Sequence, residues 1–302
     1  MRTDNELDAH DERVLERLNR ASLTRSFVPQ TDIDWDAETT DGEYESLYSS
    51  WSLFEGTGMD KGLDAAGRIM FVKYQQVNLM IFSELLERYA LTALIKLHET
   101  DASEAFREYL DHFIKEESYH ATMFRRAARQ IQATMRECKP LPVLALDRVL
   151  RWIFRLLNSL PGRKLRSNVT FTFFRFGEQV TLHAHQIVQG KIRRKESLIR
   201  QVWAYHALDE SRHLTFDAII LERTKLGWPL SWAPLLLAAP CSALVSLLVN
   251  ANEIWAARQL GLPAHLWQLP GLMKRTQAPF KRRVFSLWTK SESERRVIPE
   301  EA

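Results

Sequence analysis

The sequence predicts an all-α protein built on a four-helix bundle core with additional helices. Three observations carry that expectation. Between residues 64 and 225, long segments place apolar side chains at helical spacing with almost no Gly or Pro inside them. No stretch alternates apolar and polar residues as a half-buried strand does. The 11 glycines and 11 prolines in 302 residues are too few for the many turns of an all-β fold.

In chain order, residues 1–45 are polar and acid-rich, with few large apolar side chains before Trp35. They read as a flexible arm or a surface wrap. The bundle is assigned to 46–225, with helices at about 64–98, 102–134, 142–159, 168–189 and 196–225. Asp101-Ala-Ser-Glu104 reads as a capping box for the second of these. Pro161-Gly162 reads as a turn and Gln189-Gly190 as a helix stop. Helix 142–159 is amphipathic, with Arg148, Arg151 and Arg155 on one side. Residues 226–302 read as an apolar helical segment and a basic tail that pack on the bundle. No charge lies between Lys225 and Glu253, and Trp228–Val249 is long enough to span a bilayer. Pro229, Pro234 and Pro240 break a helix interior, which favours a buried or lid-like segment over a span.

Composition narrows the function classes. Net charge is only +3, from 41 basic and 38 acidic residues, so a dedicated nucleic-acid binder is not expected. The two cysteines, Cys138 and Cys241, sit in no CxxC pair, which argues against thiolate–zinc chemistry and a disulfide framework. The polar N-terminus shows no signal-peptide core. A cytoplasmic setting is expected, with membrane association left open. The basic cluster Lys274-Arg275 and Lys281-Arg282-Arg283 suits an acidic partner or anionic lipid as well as a solvated tail.

The chemistry lies in the acids and histidines. Glu117-Ser-Tyr-His120 puts two ligand types about 60° apart on one helical face. Alone this is a weak signal, since a Glu-x-x-His arises by chance about once in such a chain. Glu210-Ser-Arg-His213 repeats the spacing, and His206 extends it to an i, i+4, i+7 stripe on one helix. Three such residues on one stripe point to a metal more than to solvation. A lone glutamate precedes each pair. In helix 64–98, Glu84 lies among Val77, Met80, Ile81, Leu91 and Ile95, where a carboxylate is costly unless paired or bound to a cation. Glu87 competes but shares its side with Ser83 and Gln76, so Glu84 is preferred. Glu178 is the only acid between Asp147 and Glu196 and follows the run Phe173-Phe174-Arg175-Phe176. A charge pair with Arg175 is its competing reading, and the phenylalanines read mainly as core. Glu84 precedes Glu117 by 33 residues and Glu178 precedes Glu210 by 32.

One Glu and one Glu-x-x-His from each of two helix pairs is the ferritin-like dimetal carboxylate pattern. Oxygen and nitrogen ligands suit iron or manganese better than structural zinc. Two iron ions are expected, with a manganese–iron pair left open. Asp209 is placed to orient a ligating histidine from the opposite helix, and Arg212 to anchor Asp209 or a ligand carboxylate. His185 shares the face of Glu178, yet it and His183 read as packed or solvated. His10, His98 and His112 show no ligand spacing.

Across roughly Trp51 to Leu221 the sequence resembles the p-aminobenzoate N-oxygenase family of ferritin-like diiron oxygenases. The residues that carry the resemblance are Ser52-Leu-Phe-Glu-Gly-Thr57, Phe82-Ser-Glu84-Leu-Leu, Glu117-x-x-His120, Glu178 and His206-x-x-x-Glu210-x-x-His213. His206 is the discriminating position, a third histidine one turn before the last glutamate. The resemblance implies seven ligands: Glu84, Glu117, His120, Glu178, His206, Glu210 and His213. It also implies a peroxo-bridged diferric species that oxidises an arylamine or related amine. The alternatives are a hydroxylase or desaturase of an acyl or alkyl substrate and an iron-storing ferroxidase. The expected partners are a small-molecule substrate, O2 and an external electron donor or reductase, since no flavin or nicotinamide motif is present. A homodimer and a peripheral membrane contact are left open.

Overall fold

The computed structural model describes residues 4–25, 27–51, 54, 59–98, 103–135, 142–227 and 230–271. Its α-helices are α1 (Asp4–Thr24), α2 (Pro29–Asp32), α3 (Asp41–Trp51), α4 (Ala65–His98), α5 (Glu104–Ala133), α6 (Val143–Ser159), α7 (Arg163–Lys191), α8 (Leu198–Arg223) and α9 (Ala233–Gln259). No strand occurs among the described residues. The all-α bundle expected from the sequence is therefore the architecture found.

The helix starts follow local chemistry. Asp64 Oδ1 accepts the Gly67 N–H at 2.8 Å, satisfying one of the free donors that open α4. At α5 the cap is Ser103, whose hydroxyl accepts the Phe106 N–H. Asp101, named in the expected capping box, lies outside the described residues. Gly162 adopts a φ of 73°, which turns the chain so that α7 begins at Arg163, five residues earlier than expected. The expected stop at Gln189-Gly190 falls at the end of α7, which closes at Lys191 with Ile192 as its cap.

Helices α4, α5, α7 and α8 form the bundle, with α4 packed along α5 and α7 along α8. Two apolar clusters fill its ends. In α4, Phe71–Met80 belong to the first cluster and Phe82–Leu94 to the second; in α5, Phe106–Phe113 belong to the second and Met123–Ile131 to the first. The order reverses again between α7 and α8. Each pair is thus antiparallel, and the middle of every bundle helix crosses one layer between the two clusters. Glu87, Glu117, Glu178 and Glu210 lie in that layer.

Of the two readings of the N-terminus, a flexible arm or a surface wrap, the described residues take the second. Helix α1 packs on α5 and α8, with Leu15 and Leu18 buried. Asp11 Oδ2 pairs with Arg223 Nε at 3.0 Å, and Asn19 donates to the Ala105 carbonyl. Phe27 and Trp35 also enter the core. The described part of 1–45 is therefore packed rather than free. Its acidic composition masked an apolar edge at Val14, Leu15 and Leu18.

At the other end, α9 packs on α7, α4 and α6 and runs through Pro240. Pro240 faces outward, so the carbonyl it leaves unpaired is on the solvent side. Asn252 donates to Asn78, and Asn78 donates to the Val249 carbonyl, fastening α9 to α4. By length and composition the helix could cross a membrane, and 28% of its most apolar window is buried in the protein. Trp228, Pro229 and the basic cluster after Gly271 lie outside the described residues.

Candidate metal centre

The central layer brings acids and imidazoles together where burial makes each expensive alone. His120, His206 and His213 are fully buried, Glu117 and Glu210 nearly so, and Glu87 is 6% exposed. His206 Nε2 lies 2.8 Å from Glu210 Oε1 and 3.1 Å from Glu87 Oε1. His213 Nδ1 lies 2.9 Å from Glu117 Oε1 and 3.8 Å from Glu210 Oε1. Two groups of side chains each offer one ligand atom per residue, all within 4.8 Å of one another: Glu87, His120, His206 and Glu210, and Glu117, His120, Glu210 and His213. Glu210 and His120 belong to both, so two cation positions sit side by side.

The first of the four expected glutamates is the one the structure places differently. Glu84 turns away from the layer, with Arg88 Nε at 3.0 Å and Arg125 Nε at 3.2 Å. Glu87, one turn on, holds the interior position. Its neighbours on that side, Gln76 and Ser83, are themselves buried, and Gln76 accepts the Trp203 indole N–H at 3.1 Å. The polar side of α4 is therefore the inner side. Glu178, from α7, faces the layer with Oε2 buried and lacking a hydrogen-bond partner. His183 and His185 belong to neither group.

Beyond these residues lies a second set. Asp209 Oδ2 holds His120 Nε2 at 3.0 Å, which leaves His120 Nδ1 buried and without a hydrogen-bond partner. Glu116 Oε2 holds His213 Nε2 at 2.9 Å. Arg212 binds Glu116 Oε1 at 2.7 Å and also Asp209, so one guanidinium ties both acids. Asp209 and Arg212 were read from the sequence. Glu116 was not, although it is adjacent to Glu117. Nor was Asp217, fully buried against Glu178, although it continues the 206, 210, 213 stripe by one further turn.

The electrostatics follow from crowding. Burial raises the Glu117 carboxyl well above its ordinary value, and the charge of Glu87 raises it further. Burial, then Asp217 and Glu210, do the same to Glu178. Asp217 is pushed up to about 7 by burial, against the pull of Arg175. Burial opposes charge on His206, but Glu210 and Glu87 outweigh it and raise the imidazole to about 9. His213 is likewise raised, by Glu117 and Glu116 against burial. Glu116 is held at about 2, its burial cost overcome by His213 and Arg212.

The donor set fits a pair of divalent cations. Glu117 Oε2, Glu178 Oε2 and Glu210 Oε2 are buried without hydrogen-bond partners, as is His120 Nδ1. Buried polar atoms are normally satisfied, so four such atoms in one layer call for ions rather than for more protein. Aromatic rings wall the histidines: Phe113 stacks on His213 at 3.8 Å, and Phe124 lies 4.8 Å from His206. Glu87, Glu117 and Glu178 edge a cavity of about 10 Å³, otherwise lined by Leu86, Ala90, Leu94, Phe113, Phe174, Gly177 and Thr181. That volume is about one water molecule's allowance.

Comparison with known proteins finds relatives and a family for the chain. An uncharacterized protein of Mycobacterium tuberculosis is 23% identical over 253 residues, spanning 79% of this chain and 70% of its own length. One from Mycobacterium bovis matches equally. Two solved structures of an R2-like ligand-binding oxidase, one described with a Mn/Fe and one with an Fe/Fe cofactor, share 13% identity at a TM-score of 0.44. They cover 90% of this chain and 92% of theirs. The P-aminobenzoate N-oxygenase AurF family matches residues 8–265, a stretch that contains every residue of the central layer. The chain belongs to the p-aminobenzoate N-oxygenase AurF family and is an oxidoreductase with a buried carboxylate–histidine cluster able to hold two metal ions.

Proposed function

We propose that this protein is a diiron oxygenase that transfers oxygen from O2 to the nitrogen of an aromatic or related amine. Glu87, Glu117, His120, Glu178, His206, Glu210 and His213 would be the ligands. The observation that carries this reading is the charge and donor count in one buried layer. Four carboxylates balance two divalent ions, and three imidazoles complete a mixed oxygen and nitrogen set suited to iron or manganese. Bound iron supplies the electrons and the open positions for dioxygen chemistry.

The chain supplies the rest. Asp209 and Glu116 fix the tilt of His120 and His213 by holding their Nε2 atoms, so that Nδ1 points inward. Arg212 ties both acids in place. The aromatic wall keeps water from the histidine side. The cavity is the substrate side, because three ligand carboxylates line it and no histidine does. An aromatic ring enters as Leu86, Leu94 and Phe174 turn aside. No cation lines this cavity, and the Thr181 hydroxyl is already spent on the Glu178 carbonyl. The rest of the lining is mostly apolar, which favours an amine with an apolar body. Two external electrons and two protons reduce the second oxygen atom to water, so an electron donor completes the cycle.

The test is reconstitution with ferrous iron under anaerobic conditions, then addition of O2 and reductant with 4-methylaniline or 4-aminobenzoate. The N-hydroxylated product of 4-methylaniline is expected by mass spectrometry. No oxidised product from any amine would refute the N-oxygenase reading. The same apolar lining also favours hydroxylation or desaturation of an acyl or alkyl chain, which would appear as oxidised carbon. An iron-storing ferroxidase would accumulate far more iron than two ions per chain.

A further inference from the structure

We propose that the outward faces of α6 and α9 form a docking surface for anionic lipid, on which the protein lies against a bilayer without crossing it. On α9 and the turn before it, Trp232, Leu236, Ala239, Pro240, Ala243 and Leu247 are exposed. Their spacing of i, i+4, i+7, i+8, i+11 and i+15 makes one helical stripe with no polar member. Trp232 is 63% exposed and Leu236 68%. A solvent-facing stripe made wholly of apolar residues is unusual in a free surface.

Helix α6 packs against α9, shares its apolar cluster, and carries the complementary chemistry. Exposed Leu144 and Trp152 alternate along it with exposed Arg148, Arg151 and Arg155. The one acid in α6, Asp147, is half-buried and bound by Arg151 at 2.6 Å. Tryptophan and leucine interleaved with arginine is the composition of a helix that rests in the headgroup region. The rings enter the interface, and the arginines meet phosphates.

Crossing is excluded by the inner side of α9. Its bonds to Asn78 and its buried Glu253 belong to the protein interior and would be torn out by insertion. A second copy is the poorer occupant. A two-fold contact would bring the arginine-bearing face against itself. The sequence after Gly271 carries Lys274, Arg275 and Lys281-Arg282-Arg283, charge of the sign that anionic lipid attracts.

The experiment is co-sedimentation of the full chain with vesicles of phosphatidylcholine alone or mixed with phosphatidylglycerol, at low and high salt, together with tryptophan emission. Binding to the anionic vesicles, weakened by salt and accompanied by a blue shift, is expected. Arg148→Glu and Arg155→Glu should each lower partition by at least about fivefold, the weight of one basic residue at such a surface. Leu236→Asp should abolish the shift while leaving helicity and iron loading unchanged. The proposal is overturned by failure to bind anionic vesicles. It is equally overturned by binding that all three variants leave intact, which would assign the contact to the basic chain after Gly271. A dimer in solution that Leu236→Asp disperses would assign the face to a second copy instead.

Discussion

Exchanging the two glutamates of α4 one at a time separates the proposed metal ligand from its arginine-bound neighbour. Glu84 is held by Arg88 and Arg125, whose side chains are 45% and 44% exposed. Ion pairs of that exposure contribute about 0–1 kcal/mol each. Glu84→Gln should therefore lower Tm by only a few degrees, since about 1 kcal/mol moves a domain of this size by roughly 2–4 °C. It should leave the metal content at two ions per chain. Glu87→Gln keeps the shape but removes one of four balancing charges and weakens the 3.1 Å contact to His206. Losing a residue that merely orients a ligand costs about 10–100-fold in metal affinity. Losing a ligand itself should exceed that, so the variant should retain about one ion after gel filtration. The assay is elemental analysis after anaerobic ferrous reconstitution, with thermal unfolding alongside. The assignment is refuted if Glu84→Gln loses an ion while Glu87→Gln keeps both.

Three further outcomes follow from the same geometry. Glu116→Gln breaks the charge-assisted hold on His213 Nε2 and Arg212, and should weaken metal binding by about 10–100-fold with little loss of helix content, read by chelator competition. Against burial, neighbouring acids raise His206, to about 9, and also raise His213, while burial and neighbouring acids together raise Glu117 and Glu178, which favours the protonated forms in the apo-protein. Ligands must shed those protons, so metal binding should release protons and tighten as pH rises. Titration calorimetry in two buffers of different ionisation enthalpy measures this, and a buffer-independent heat would contradict it. Gly177→Ala places a Cβ 2.1 Å from Leu86 Cδ2 at the cavity wall. The resulting shift of Leu86 should cost about 1–3 kcal/mol and alter substrate KM more than iron content, and an unchanged Tm would show the wall to be looser than described.

Much of this was legible in the sequence because helical spacing translates directly into faces. The five central helices, the two Glu-x-x-His pairs and the His206 extension needed only a period of 3.6. The preference for Glu84 over Glu87 came from applying the usual inside-apolar rule to a helix that is buried nearly all round. There the costly carboxylate is the one among polar neighbours, since Gln76, Ser83 and Glu87 share the inner side. Glu84 escapes its apolar surroundings by reaching two arginines, and only one of them, Arg88, is close in sequence. Glu116 was hidden because its partners, Arg212 and His213, sit on another helix. Asp217 was visible in principle, as the next turn of the same stripe. Composition misled at the N-terminus, where acids outnumber the few leucines that pack α1.

The most direct test of the central claim is the metal content of the wild-type chain after anaerobic loading with ferrous ions. Competition between iron and manganese should accompany it, followed by exposure to O2. About two ions per chain and consumption of O2 by the loaded protein are the predicted result. A chain that takes up no ion, or that takes up two ions and leaves O2 untouched, would contradict the account.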